Sequence, residues 1–186
     1  MITSFMSLLY ADEARFAEVF NLLESYIERR YEVQISISDV TDPFTGDLDG
    51  ESIAIDYDQP GEDALFIMVH LFGHTVQWNT DSAARLIGTE RTVSIEPAHL
   101  AELRAYEVKA CRYSLQLMHD AGVTDLDQWL ADFAACDWGY LLHYYQTGEK
   151  RPFRSFWRER MPLLEPLAIP QFQPVRWRSR NDGVVV

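Results

Sequence analysis

Residues 62–78, EDALFIMVHLFGHTVQW, decide the fold, because this run is apolar almost all round and is long enough for a helix. A helix that is apolar on every side is buried, so we predict a central helix here. His70 and His74 are four residues apart and leave the same helical face about one turn apart. Gln77 and Asp81 extend this polar stripe. Polar groups on a buried helix need partners, so the stripe predicts a site.

The spacing of the two histidines allows both imidazoles to bind one metal ion. The alternative is that two neutral histidines hydrogen-bond inside the core and hold no metal. A third ligand would favour the metal, and the candidates further along the chain are His99, Glu102 and Glu107. Glu102 shares its predicted helical face with Lys109 and Gln116, which indicates a solvated strip.

Glu107 has a different environment on the same predicted helix. Its neighbours at helical steps are small or apolar: Leu103, Ala110, Cys111 and Ser114. A carboxylate on such a face is expected to have a partner, and a metal ion held by two histidines would be a suitable one.

The rest of the chain alternates between helical and strand patterns. Apolar residues at helical spacing predict a helix over residues 11–30. Period-two alternation predicts two strands, over 31–38 and 53–57, joined by a loop over 39–50. Further predicted elements are a short strand at 92–95, helices over 98–121 and 124–146, the latter capped near Thr124, and a short helix over 153–160. Together they predict an α+β fold with helices packed on a small sheet.

The segment between the two predicted strands is strongly acidic. Residues 39–63 carry nine acidic and no basic residues. The run DLDGE at 47–51 suggests a calcium loop, but it lacks the ligand ladder and the distal Glu of an EF-hand. We therefore predict a solvated acidic turn here.

Charge is unevenly distributed along the 186 residues, which carry a formal net charge of −13. Residues 1–150 hold 9 basic and 26 acidic residues, whereas 151–186 hold 7 arginines and 3 acidic residues. An acidic body is repelled by phosphate, which argues against nucleic-acid binders and anionic-membrane binders. We predict one domain over 1–150 and an extended arm over 151–186, packed on the body or on a neighbouring subunit. A homodimer through this arm is a further expectation.

Signals for export or membrane insertion are not evident in the sequence. The first residues do not resemble a signal peptide, and no window approaches 18 uninterrupted apolar residues. Cys111 and Cys136 lie among apolar neighbours, which predicts buried free thiols in a reducing compartment. These observations predict a cytoplasmic protein.

Residues 65–74, LFIMVHLFGH, resemble the active-site helix of zinc metallopeptidases, whose motif is H-E-x-x-H. Glycine before the second histidine is typical of ImmA/IrrE-type metallopeptidases, which belong to the gluzincin-like set. Their second motif is matched by Glu107, Ala110, Tyr113, Leu117 and Met118. The resemblance covers about residues 33–118. It implies a zincin-like domain in which His70, His74 and Glu107 bind zinc, and a peptidase activity on a protein or peptide partner.

The sequence departs from this family at one position. In these enzymes the residue after the first histidine is a Glu that takes a proton from the attacking water, and here that residue is Leu71. The first hypothesis is therefore a noncatalytic metal-binding protein or an altered hydrolase. A second is an active metallopeptidase with a substitute base, for which Asp81, His99, Glu102 and Tyr106 are candidates. The third is a metal-free structural or interaction module. Two histidines and a carboxylate suit zinc, and also Fe²⁺, Mn²⁺ or Ni²⁺.

Overall fold

The computed structural model describes residues 2–41, 44–89 and 96–178, with side chains described from Glu13 onward. The predicted α+β class is confirmed. The helices are α1 (Ile2–Tyr31), α2 (Gly61–Thr80), α3 (Ser82–Thr89), α4 (Pro97–Asp120) and α5 (Asp127–Thr147), and a short 3-10 helix covers Phe153–Phe156. The strands are β1 (Gln34–Ser38), β2 (Gly46–Leu48) and β3 (Ser52–Asp56). The strand predicted over 92–95 lies outside the described residues.

The sheet has the strand order β1-β3-β2, with β1 parallel to β3 and β2 antiparallel to it. β1 and β3 lie where the two strands are predicted. The prediction of a plain loop over 39–50 is wrong, because β2 forms inside it. Three residues are too few to show a strand period in the sequence, although all three are buried.

Helix α2 is the central element and contacts α1, α3, α4, β2 and β3. Fourteen of its residues, from Ala64 to Trp78, are buried, which confirms the predicted buried helix. Glu62 and Asp63 lie in its first turn, where acidic side chains interact favourably with the helix dipole. The core therefore forms around the segment that carries the histidine pair.

Helix α3 is absent from the sequence-based prediction, because eight residues are too few to show clear periodicity. Its start has a clear physical cause. The carboxylate Oδ1 of Asp81 accepts hydrogen bonds from the backbone N–H groups of Ala83 at 3.0 Å and Ala84 at 3.2 Å. Asp81 therefore caps α3 and belongs to the scaffold.

Helices α4 and α5 occupy nearly the predicted ranges. Both are followed by a glycine in the left-handed region, Gly122 with φ 84° and Gly148 with φ 70°. The predicted cap at Thr124 is wrong, because residues 125–126 form a turn and α5 begins after it without a side-chain cap. The helix predicted over 153–160 is reduced to the short 3-10 helix. None of the described helices has the length and apolar character needed to cross a membrane.

Residues 157–178 contain no helix or strand and contact the body of the same chain. The Phe172 ring stacks on Tyr31, with centroids 5.7 Å apart. The backbone N–H of Leu167 donates to the carbonyl of Arg112 at 3.1 Å. This segment therefore contacts both α1 and α4.

Residues 47–50 of the acidic run are buried and Glu51 is partly exposed, so the prediction of a solvated turn is wrong. Asp47 and Asp49 are 5% and 0% exposed. Arg178 Nη2 lies 2.7 Å from Asp47 Oδ1, and Arg176 Nε lies 3.3 Å from Asp49 Oδ2. The positive charges of Arg176 and Arg178 thus face the two carboxylates and offset the free-energy cost of removing these carboxylates from water.

Candidate metal centre

His70 and His74 present their rings to the same space, as their spacing predicts. Their Nε2 atoms are 3.0 Å apart, and the two residues are 7% and 5% exposed. Phe66 stacks on the His70 ring with centroids 5.2 Å apart, and Tyr106 stacks on the His74 ring at 4.5 Å. Aromatic neighbours therefore hold both imidazole planes in position.

Glu107 completes the group from α4. Its Oε2 lies 3.1 Å from Nε2 of His70 and 3.1 Å from Nε2 of His74. Tetrahedral ligands at zinc distances of about 2.0–2.1 Å are about 3.3 Å apart. The triangle of ligand atoms therefore needs to widen by only about 0.2–0.3 Å to hold such an ion.

The other two candidates for a third ligand lie elsewhere. His99 Nδ1 is 3.8 Å from Glu102 Oε2, and the Glu102 side chain is 59% exposed, as the solvated strip predicts. Within the described part of the chain, the group that could hold a metal ion consists of Glu107 and the two histidines.

A glycine lets α4 approach α2 closely enough to bring Glu107 to the histidines. A Cβ atom added to Gly73 would collide with the backbone carbonyl of Ala110, which lies one turn after Glu107. The hydroxyl of Ser114 donates to the carbonyl of Val69 at 2.7 Å and ties the same two helices together. Small residues on both helices therefore set the separation of the three ligand atoms.

Hydrogen bonds behind the histidines determine which ring nitrogen carries the proton. Gln77 Nε2 donates to the carbonyl of Tyr106 at 2.9 Å, so its Oε1 faces His74 Nδ1 at 2.8 Å. His74 Nδ1 must therefore be the donor, so in the neutral ring it is Nε2 that has the free lone pair. His70 Nδ1 lies 3.3 Å from Cys111 Sγ, a weaker partner.

The electrostatic environment favours an ionised Glu107. Burial opposes the ionisation of this carboxyl. The neighbouring His74 and His70 side chains outweigh that effect and hold the pKa of Glu107 well below its ordinary value. A buried carboxylate with a low pKa is a suitable ligand for a cation.

Asp137, on α5, is a site residue that the sequence analysis missed. Its Oδ2 lies 3.9 Å from His70 Nε2, and it does not belong to the three residues whose ligand atoms lie within 4.8 Å of one another. Burial raises the pKa of Asp137 to about 7, with His70 lowering it and Glu107 raising it further. Apolar neighbours at helical steps singled out Glu107 in the sequence. The same criterion could have identified Asp137, whose neighbours at helical steps are Phe133, Ala134, Tyr140 and Leu141.

Leu71 is fully buried and lines the cavity beside the histidines. Of the four candidate substitute bases, His99 and Glu102 pair with each other, and Asp81 caps α3. The fourth, Tyr106, lines the cavity and accepts a hydrogen bond from Trp78 Nε1 at 2.8 Å. Burial raises the pKa of Tyr106 well above its ordinary value, which disfavours a role as a base.

A cavity of about 450 Å³ lies beside the three ligand atoms. His70, His74, Glu107 and Asp137 all line it. Its volume falls within the range of about 300–1,000 Å³ that is usual for small-molecule sites. An ion held by the three residues would therefore keep a coordination position facing this space.

No protein-family model, curated protein or solved structure matches this chain. The resemblance to ImmA/IrrE-type metallopeptidases therefore depends on the motifs quoted for it, and the zincin-like assignment stays a prediction. So do the division into a domain and an arm, a protein or peptide partner, a homodimer and a cytoplasmic location. The fold and site define an α+β protein with two histidines and a glutamate within metal-binding distance.

Proposed function

We propose that this chain binds one divalent metal ion through His70, His74 and Glu107. It would be a metallopeptidase-like protein that lacks the general base of an efficient peptidase. The observation that carries this proposal is the convergence of two imidazole nitrogens and one carboxylate oxygen, 3.0–3.1 Å apart.

The hydrogen-bond pattern supports a cation at the centre of this group. In a neutral His74 ring with its proton on Nδ1, Nε2 is an acceptor, and the ionised oxygen of Glu107 is also an acceptor. Two acceptors 3.1 Å apart repel each other unless a proton or a cation lies between them. A second proton on His74 would satisfy this pair alone and corresponds to the metal-free alternative, whereas one metal ion would serve all three pairs of atoms.

Zinc is the ion that this donor set favours. Two histidines, one carboxylate and an accessible fourth position are the pattern of catalytic zinc sites, although Fe²⁺, Mn²⁺ and Ni²⁺ accept the same ligands. Bound zinc would supply Lewis acidity and lower the pKa of a coordinated water to about 7.

The residue beside His70 supports a noncatalytic role or altered chemistry. A Glu in place of Leu71 would accept a proton from water, and loss of such a group lowers rates by about 10²- to 10⁴-fold. We therefore propose a metal-binding protein without efficient peptidase activity.

Asp137 favours a second candidate function, a hydrolase of altered geometry. Its carboxylate lies 3.9 Å from His70 Nε2 and lines the same cavity. In that position it could accept a proton from a water molecule held beside the three ligand atoms. Asp137 would then replace, from a different helix, the acid that is missing at Leu71.

Metal content tests the proposal against the metal-free alternative, in which the three residues form a hydrogen-bonded core network. Untagged wild-type protein, His74→Ala and His143→Ala would be analysed for bound metal and for Zn²⁺ uptake. His143 lies on α5 outside the group, so His143→Ala controls for loss of an imidazole. We expect about one ion per chain in wild type and His143→Ala, and none in His74→Ala. A wild type that takes up no Zn²⁺ at micromolar concentration would refute metal binding.

Activity separates the two candidate functions. Zinc-loaded protein would be assayed on casein and on a small chromogenic amide, and we expect no cleavage by wild type. Gain of cleavage in Leu71→Glu would show that the missing acid is the limiting group. Wild-type cleavage that is lost in both His70→Ala and Asp137→Asn would instead support the hydrolase and contradict a noncatalytic role.

A further inference from the structure

The cavity beside the candidate metal centre has mainly aromatic and aliphatic walls. The rings that line it belong to Phe66, Phe133, Tyr140, Tyr145 and Phe153, among others. A partly open cavity of about 450 Å³ with such walls suits a small organic molecule. One way in which an extended peptide binds is by adding a strand to a free sheet edge. The sheet edge nearest the cavity therefore bears on whether the site takes a peptide or a small molecule.

The sheet edge nearest the cavity is β2, because Leu48 of this strand and Thr45 directly before it line the cavity. The C-terminal segment already covers it. Arg178 Nε donates to the carbonyl of Leu48 at 2.9 Å, and the N–H of Trp177 donates to the carbonyl of Asp49 at 2.7 Å. The Arg178 side chain is only 8% exposed. A peptide strand could pair with β2 at these atoms only by displacing Trp177 and Arg178.

The charges around the cavity favour an uncharged ligand body. Two arginines line the cavity, Arg151 and Arg154. Arg151 is exposed to solvent. Arg154 Nη2 lies 2.8 Å from Glu62 Oε2 and 2.7 Å from Asp63 Oδ1, so its charge is compensated. Glu107 and Asp137 place two carboxyl groups beside the candidate metal centre. An anionic group in the body of a ligand would be repelled there, whereas an apolar body would not.

We propose that the site takes a small, uncharged, mainly apolar molecule, whose body fills the cavity while one oxygen-bearing head group binds the metal ion. Addition of an extended peptide as a strand at β2 would require displacement of the contacts that Trp177 and Arg178 make there. This inference rests on the metal binding proposed above.

Three hydroxamates would serve as probes, because each carries the same metal-binding head. Acetohydroxamate carries the head alone. The phenylbutyl probe, 4-phenylbutanohydroxamate, adds an apolar body, and the tripeptide probe, a tripeptide hydroxamate, adds an extended peptide. Their affinities for the zinc-loaded protein would be measured by calorimetry, after metal uptake has been measured on the same preparation. We expect the phenylbutyl probe to bind about 10- to 100-fold more tightly than acetohydroxamate, and the tripeptide probe to show no such gain.

Two neighbouring tyrosines provide a matched pair of variants. Tyr145 lines the cavity, whereas Tyr144, the preceding residue on α5, is not among the lining residues. Tyr145→Ala should lower the affinity for the phenylbutyl probe about 5- to 10-fold without changing the affinity for acetohydroxamate. Tyr144→Ala should change neither affinity.

The outcomes distinguish this inference from the proposed function. Failure of Zn²⁺ uptake by wild type would refute metal binding and this inference with it. Normal uptake with equal affinities for acetohydroxamate and the phenylbutyl probe would overturn the inference alone. A tripeptide hydroxamate that binds more tightly than the phenylbutyl probe would show that the site accepts peptides and would also overturn it.

Discussion

Replacing Gly73 by alanine should separate α2 from α4 and weaken both the fold and the metal site. The added methyl group would collide with the carbonyl of Ala110, and relief of this contact requires the helices to move apart by about 1 Å. Overpacking costs about 1–3 kcal/mol, and the better helix propensity of alanine offsets about 1 kcal/mol of it. Because the obstacle is backbone, we expect a net loss of about 1–2 kcal/mol in the free energy of unfolding. Displacement of Glu107 should also lower zinc affinity by about 10- to 100-fold.

Urea unfolding followed by circular dichroism would measure the stability, and competition with a chromophoric chelator would measure the zinc affinity. Gly61→Ala is the matched control, because Gly61 lies on the same helix and a Cβ there meets nothing within 4 Å. The control should retain its metal affinity and lose no stability. If Gly73→Ala and Gly61→Ala have the same free energy of unfolding and the same zinc affinity, the close approach of α2 and α4 does not position Glu107.

Three further predictions concern the surroundings of the site. Gln77→Leu should lower zinc affinity about 10- to 100-fold in the chelator assay, because His74 Nδ1 loses its acceptor, while Gln77→Glu should retain most of it. Asp81→Ala should lower the free energy of unfolding by about 1 kcal/mol through loss of the α3 cap, and Asp81→Asn should lose less; equal losses would contradict capping. Burial raises the pKa of Cys111 well above its usual value and that of Cys136 to about 11, so both thiols should resist Ellman's reagent at pH 8 until denaturant is added. Rapid labelling of the native protein would contradict this burial.

The parts of the fold that follow from sequence are those with a long, regular pattern. The apolar run of α2 and the glycines after α4 and α5 each have a local physical cause that is visible in the chain. β2 and α3 have too few residues for such a pattern, and their formation depends on contacts made in three dimensions. The burial of Asp47 illustrates this, because its partner Arg178 lies 131 residues further along the chain.

The candidate site likewise depends partly on local sequence patterns and partly on contacts made in three dimensions. His70 and His74 are linked by local helical geometry, and the apolar neighbours of Glu107 single it out within its own helix. That these three atoms meet depends on the contact between Gly73 and Ala110, which no spacing encodes. The neighbours of Asp137 at helical steps single it out in the same way, but its approach to the histidines depends on the packing of α5, which no spacing encodes.

Leu71 shows that the position after His70 can be apolar while the three candidate ligands keep their arrangement. The residue is fully buried and also lines the cavity, so its side chain contributes about 1.5–3 kcal/mol of apolar burial at the point where a Glu would have to be desolvated. The three ligand residues do not depend on this position, because Gln77, Phe66 and Tyr106 hold the imidazoles from other sides. Leucine at 71 therefore provides no proton acceptor at that position, while the three candidate ligands are held from other sides. Any proton acceptor near the centre must then come from another element, and Asp137 is the carboxyl group that α5 places there.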